Sequence, residues 1–307
     1  MSDNIALLIT ESIETIKSDN TSGAHALTAY SGEILRKIIS NLPPDTDSVE
    51  IVEIIARVGL QIIKAQPAMA PLRQMIKALL RDLEEPPRAL DLRGQAIKFI
   101  ERYLNWLRDV KYRIAMQAAP LISENTTILT HSLSTLVFET FRAAKAQKKN
   151  FVVIATEARP VYEGRLLCRQ LSEFNVPVTL VVDAAGPSSV EKADLVFFGA
   201  DRITQSEFIN KIGTLAIVLA AHRSQVPCYV LAGSDKYLAE SDEPISLHTG
   251  KYMEVWEQAP AGVTVSNPYF ERIPLRLITG IISEAGVISY GQFAQQQGPF
   301  FQLNGKR

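Results

Sequence analysis

Two periodicities divide the chain. Up to residue 119, apolar side chains recur three and four positions apart, starting with Ile5, Leu8, Ile9, Ile13 and Ile16. That spacing places them on one face of a helix. Thr21-Ser22-Gly23 ends this first helix, and a second is predicted over 24–40. The loop 41–48 contains Pro43-Pro44, with Asp47 or Ser48 placed to cap a third helix over 49–64, whose face carries Ile51, Ile54, Ile55, Val58 and Ile62. A fourth helix is predicted over 69–85, ended by Pro86-Pro87. A long fifth one over 90–119 carries Ile97, Ile100, Leu104 and Leu107. The pattern gives a helical N-terminal domain over residues 1–119, with Pro120 at the boundary.

From there to residue 307 the period changes. A short strand is predicted over 127–130 and a helix over 135–147. Four apolar runs without polar alternation follow: Phe151–Thr156, Val176–Val182, Asp194–Ala200 and Val226–Gly233. Such runs read as strands buried on both faces. Helix-length segments separate them, which predicts an α/β domain with a parallel sheet over residues 120–307. Beyond Tyr237 the expectations are a polar loop over 241–250, a short strand over 262–267 and an extended segment Asn267–Pro274. An apolar stretch then runs over 275–288, and the tail 298–307 is expected to fray.

Composition narrows the class. The 307 residues are 47% hydrophobic and 21% charged, with a net charge of −1. This argues against a nucleic-acid surface. Cys168 and Cys228 have neither metal-ligand nor framework spacing and read as small apolar residues in a reducing compartment. The first residues lack the pattern of a signal peptide, and no apolar run approaches the length of a membrane span. The expectation is a cytoplasmic protein without membrane or nucleic-acid partners.

In parallel sheets ligands sit at the carboxyl ends of strands, and the candidate chemistry lies there. Glu157-Ala158-Arg159-Pro160 closes the first long run. Arg159 beside a helix N-terminus with free amides suits a phosphate; a Glu157–Arg159 surface pair is the other reading. Asp201 after Gly199-Ala200 fits a partly desolvated acid or base, or else a turn cap. Asn210-Lys211-Ile212-Gly213-Thr214 is expected to open a helix, with Asn210 for a hydroxyl and Lys211 for phosphate, or as an ordinary cap and a solvated lysine. Asp183 fixes a sugar hydroxyl or caps the helix that follows. His131 and Ser132 follow the short strand without the order of a hydrolase triad. No G-x-G-x-x-G follows the first strand, which disfavours a dinucleotide oxidoreductase.

Taken together, these motifs run in one order: Thr130-His131-Ser132-x-Ser134, Glu157-x-Arg159-Pro160-x3-Gly164, Asp183-Ala184-Ala185, Gly199-Ala200-Asp201, Asn210-Lys211-Ile212-Gly213-Thr214 and Asn267-Pro268-x-Phe270, then a Pro274 ahead of an apolar helix. The set resembles the family that joins the alpha, beta and delta subunits of translation initiation factor 2B with methylthioribose-1-phosphate isomerase and ribose-1,5-bisphosphate isomerase. The likeness covers residues 125–290, and Val181–Thr214 is its most specific part.

The resemblance implies a Rossmann-like C-terminal domain that dimerises and a phosphosugar site at the strand ends. A phosphorylated pentose is the implied partner; no metal or cofactor is expected, because proton transfer beside a carbonyl needs only placed acids and bases. It also implies isomerase chemistry carried by a Cys and an Asp. The Asp matches Asp201, while the Cys position holds Ser132, and a hydroxyl needs a partner base where a thiol does not. Arg159, Glu157, Asn210, Lys211, Gly23 and His131 are the implied substrate-side residues. Ser22-Gly23 stands where the isomerases carry Arg-Gly, and Gln205–Phe208 replaces a glycine-containing turn. Arg159 and Asp201 follow the isomerases, since the factor's alpha subunit resembles Glu-Ser-Gln-Pro and Gly-Ala-Glu there. Ser132 follows the factor subunits. Aldose–ketose isomerisation of a pentose 1-phosphate or 1,5-bisphosphate is the first expectation, and a non-catalytic phosphosugar binder is the second.

Overall fold

The computed structural model describes residues 3–19, 22–84, 91–238, 247 and 249–295. The chain divides into two compact units, Met1–Asp109 and Val110–Arg307. The division falls inside the fifth helix, ahead of Pro120.

The first unit holds α1 (Asp3–Ser18), α2 (Ala24–Ser40), α3 (Ser48–Ala65), α4 (Ala70–Glu84) and the start of α5 (Leu92–Ala118). Each follows the helical periodicity of its sequence to within two residues. Ile16, Leu27, Leu35, Ile38, Ile55, Ile62, Leu72 and Leu79 form its buried stripe, and burial of such side chains contributes roughly 1.5–3 kcal/mol each. Pro86-Pro87 and Thr21 lie outside the described residues.

In the second unit the elements are β1 (Thr126–Thr130), α6 (Thr135–Ala146), β2 (Phe151–Thr156), α7 (Glu163–Glu173), β3 (Val178–Val181), α8 (Gly186–Ser189), β4 (Leu195–Phe198), β5 (Arg202–Ile203), β6 (Glu207–Lys211), α9 (Thr214–Ser224), β7 (Cys228–Leu231), β8 (Phe270–Pro274), β9 (Gly280–Ser283), β10 (Gly286–Ser289) and α10 (Tyr290–Gln295). A seven-stranded sheet runs β10-β9-β7-β4-β1-β2-β3, parallel except for the β9–β10 hairpin. A smaller antiparallel sheet runs β5-β6-β8.

Four expectations need correction. β3 is not buried on both faces: it is the sheet's edge strand, and Leu180 is 43% exposed. Asn210 and Lys211 end β6 rather than opening a helix, because β6 pairs with both β5 and β8 and α9 starts only at Thr214. The helix expected after Pro274 is a single 3-10 turn, Leu275–Leu277, followed by the β9–β10 hairpin. Residues 262–267 form no strand; Pro268 alone makes a bridge, to Thr249. Most of the loop expected at 241–250 and all of the tail from 298 lie outside the described residues.

Close contact between α7 and β2 sets the frame for the strand ends. The Gly164 amide donates to Glu157 O at 3.2 Å, and a Cβ on Gly164 would stand 1.8 Å from Thr156 O. No flexible side chain is present there to give way, so Gly164→Ala is expected to destabilise the protein by about 1–3 kcal/mol. The check is a lowered midpoint in urea or thermal unfolding.

Candidate functional site

The chain leaves β1 to one side for β2 and β3, then returns to the other side for β4 and β7. Between β1 and β4 the strand order therefore reverses, and ligands of open α/β sheets bind in the crevice outside such a point. His131 and Ser132 leave β1 there, and Asp201 follows β4. The Ile203↔Tyr237 bridge and the Leu238 amide donating to Ile203 O at 2.9 Å lay the 3-10 turn Ser234–Lys236 alongside the Asp201 loop. The Asp201 amide donates to Ile209 O at 2.9 Å, which brings the end of β6, and Lys211 with it, to the same edge.

A cluster of buried charges results. Lys211 Nζ lies 2.6 Å from Glu163 Oε1, with the two side chains 4% and 7% exposed. It also lies 4.6 Å from the centre of the Tyr269 ring. Burial pushes the Glu163 carboxyl up against the opposing pull of Lys211. Asp201 is pushed up by burial as well, while Lys236 and Lys211 draw it down. Burial lowers the Lys236 ammonium, and Asp201 and Asp235 hold it up. Asp235 is raised by burial to about 6. Glu284, raised by burial, accepts from Ser234 Oγ at 2.5 Å.

Arg159 is held nearby. Its amide and that of Ala158 donate to the two carboxylate oxygens of Asp183, at 2.7 and 2.8 Å. Asp183 thus fixes the loop after β2 from the end of β3. The guanidinium donates to the Tyr162 hydroxyl through Nη1 and to Glu254 O through Nη2, the latter at 3.4 Å. The Glu254 carboxylate accepts from the Tyr269 hydroxyl and, at 2.8 Å, from Asn267 Nδ2. A continuous chain of contacts therefore links Arg159, Glu254, Tyr269, Lys211 and Glu163, with Asp201 beside it.

The remaining candidates take other positions. Glu157 pairs with the exposed Arg165 at 2.8 Å and not with Arg159. Asn210 donates to Thr214 Oγ1 at 3.0 Å. His131 Nε2 donates to Ile212 O at 2.8 Å, which leaves Nδ1 to accept from Thr156 Oγ1. Burial lowers its pKa, so the ring is a neutral clamp between β1, β2 and the start of α9. Gly213 has φ 103, and a Cβ there would meet the ring at 3.2 Å. Ser132 itself has left-handed backbone, φ 66, a conformation costing a non-glycine residue about 1–3 kcal/mol. Gly23 lies in the first unit, as the N-cap of α2.

The free amides expected at the start of α7 are occupied. Gly164 N and Arg165 N donate to Glu157 O and Tyr162 O. At α9, Glu271 Oε1 accepts from Gly213 N and Leu215 N at 2.9 and 2.8 Å. Four members of the cluster are not singled out by the sequence pattern: Glu163, Asp235, Lys236 and Glu284. Glu163 stands inside the Pro160-x3-Gly164 motif, and Lys236 closes a strand run as the other candidates do, so position alone carried a signal for both.

Asp235 gives the cluster a measurable pH signature. Its folded pKa, about 6, exceeds its ordinary 3.8, so the fold favours the protonated acid. The stabilisation is complete below about pH 4 and is lost as pH rises through 6, a change on the order of 1–3 kcal/mol. The melting temperature is expected to fall between pH 4 and pH 8, and Asp235→Asn should flatten that fall.

The profile of the initiation factor 2 subunit family (IF-2B) matches residues 20–290. A Pyrococcus horikoshii protein named translation initiation factor eIF-2B subunit 2-like is 30% identical over 282 residues, covering 91% of this chain and 96% of its own. The ribose 1,5-bisphosphate isomerase of Archaeoglobus fulgidus is 30% identical over 286 residues, covering 91% and 89%. The crystal structure of P. horikoshii translation initiation factor eIF-2B superposes with a TM-score of 0.79 at 27% identity, over 94% of this chain and 98% of that one. The chain belongs to the initiation factor 2 subunit family.

Proposed function

We propose that this protein is a sugar-phosphate isomerase, converting a pentose 1-phosphate or 1,5-bisphosphate from aldose to ketose. The observation that carries the reading is the placement of Asp201 beside Lys211 at the switch point, with Arg159 joined to them through Glu254 and Tyr269. In the reaction the hydrogen on C2 ends on C1. The bond from C1 to the ring oxygen breaks, that oxygen takes the proton of the C2 hydroxyl, and C2 becomes the carbonyl. Asp201, kept protonated to higher pH by burial, is suited to donate to the ring oxygen. Ser132, which follows the end of β1 at the same switch point, is assigned the place beside Asp201. Arg159, Lys211 and Asn210 bind phosphate and hydroxyls. A cytoplasmic homodimer belongs to the same reading, supported by Val152, Leu180 and Val182 exposed at the β2–β3 edge of the sheet.

Ser132 favours a second reading, in which the chain binds the phosphosugar without turning it over. A serine hydroxyl near neutral pH is no base of its own. Incubation with ribose 1,5-bisphosphate or methylthioribose 1-phosphate separates the two. Ketose product is expected from the wild type, falling about 10²–10⁴-fold in Asp201→Asn. A ligand-induced rise in melting temperature without product would leave only the binder. Under either reading Arg159→Ala is expected to weaken phosphosugar binding by about 1.5–3 kcal/mol, read by calorimetry.

A further inference from the structure

Lys211, the lysine assigned to phosphate, is already engaged. Its ammonium lies 2.6 Å from Glu163 Oε1, and only 4% of its side chain is exposed. The other carboxylate oxygen, Glu163 Oε2, is shut from solvent and has no hydrogen-bond partner among the described residues. A phosphate approaching the ammonium meets this carboxylate beside it, and the two anions repel in a poorly screened setting. The free Oε2 supplies the remedy. A proton placed there leaves Oε1 to accept from Lys211 and gives Oε2 a hydrogen to donate to a phosphate oxygen.

We infer that Glu163 is a proton-linked counter-ligand of Lys211: a sugar phosphate occupies the lysine as Glu163 takes a proton from solvent, so Glu163 sets the pH range of binding. This rests on the phosphosugar reading above and adds a regulation of the same site. The groups facing Glu163 are Lys211 from β6, Asp201 from the end of β4, Tyr269 from ahead of β8, and its own amide at the start of α7. His131 also senses Lys211, but is held neutral. Of the charges facing Glu163, only Lys211 favours the carboxylate; burial and Asp201 favour the acid. An arriving phosphate adds to the second set.

The test is calorimetric titration with ribulose 1,5-bisphosphate, the ketose of the proposed reaction, from pH 6 to pH 8 in two buffers of different ionisation enthalpy. Glu163→Gln mimics the protonated side chain at every pH. The ratio of wild-type to Glu163→Gln dissociation constants is expected to rise with pH, by up to about tenfold per unit. At pH 8, where the free phosphates are fully ionised, the wild type is expected to take up a proton on binding. The same affinity, pH slope and proton count in both proteins would overturn the inference while leaving the phosphosugar reading intact. If neither protein binds the bisphosphate at any pH, the phosphosugar reading itself fails and takes the inference with it. Should Glu163→Gln not fold, the wild-type proton count at pH 8 decides: uptake supports the inference, and none overturns it.

Discussion

The buried pair between Lys211 and Glu163 is the contact on which the strand-end cluster depends. Taking each ion out of water costs several kcal/mol, and a short, well-oriented pair offsets that cost only while both partners are present. Lys211 ends a strand of the small sheet, and Glu163 opens α7 against the large one. The pair therefore ties the two sheets at the edge where β1, β2 and β4 end. Around it, Lys236 offsets Asp201 and Asp235. Lys211, Glu163, Asp201 and Lys236 are each set against a charge contributed by a different element, so this part of the cluster holds together only in the folded topology.

Placement of these groups to within a hydrogen bond comes from uncharged or self-satisfied contacts. The neutral His131 ring pins β1 to Thr156 and to Ile212. Asp183 accepts two amides of the Arg159 loop, and Glu271 accepts the amides of Gly213 and Leu215 where α9 starts. These carboxylates fill the helix end and turn that an anion would otherwise seek. On the proposed reading, the side chains of Arg159 and Lys211 are left to meet a ligand phosphate. That division explains why residues so close to the strand ends differ in kind: some hold the backbone, and others present charge.

Much of this was legible in the chain. The helices of the first unit follow from a period of three and four, and Ala24–Ser40 has the expected bounds. β2 does too, because its run is strand-length and rich in the β-branched residues Val152, Val153, Ile154 and Thr156. The apolar run after Pro274 was ambiguous for the usual reason: without alternation, periodicity does not separate a buried strand from a helix. Gly280 and Gly286 were the punctuation that marked a hairpin. β6 hid because Asn210 and Lys211, polar yet buried, read as a helix start. The partnership of Glu163 with Lys211 spans 48 positions, and no local pattern encodes it.

Ser132 poses the remaining physical question, and the cluster narrows it. A thiolate works as a base because its proton is held weakly, whereas a serine proton leaves only toward a stronger acceptor. The carboxyls beside the crevice are pushed up by burial, which makes them better acceptors than exposed acids and also better reservoirs of protons. His131 is neutral there, and burial lets the carboxyls of Asp201 and Glu163 hold a proton to higher pH than exposed acids do. On the isomerase reading, such carboxyls suit proton donation to the ring oxygen, while the hydrogen on C2 calls for a separate acceptor as a second step. The enzymatic and the binding readings part at that second step, and the property that separates them is how readily the environment of Ser132 accepts one proton.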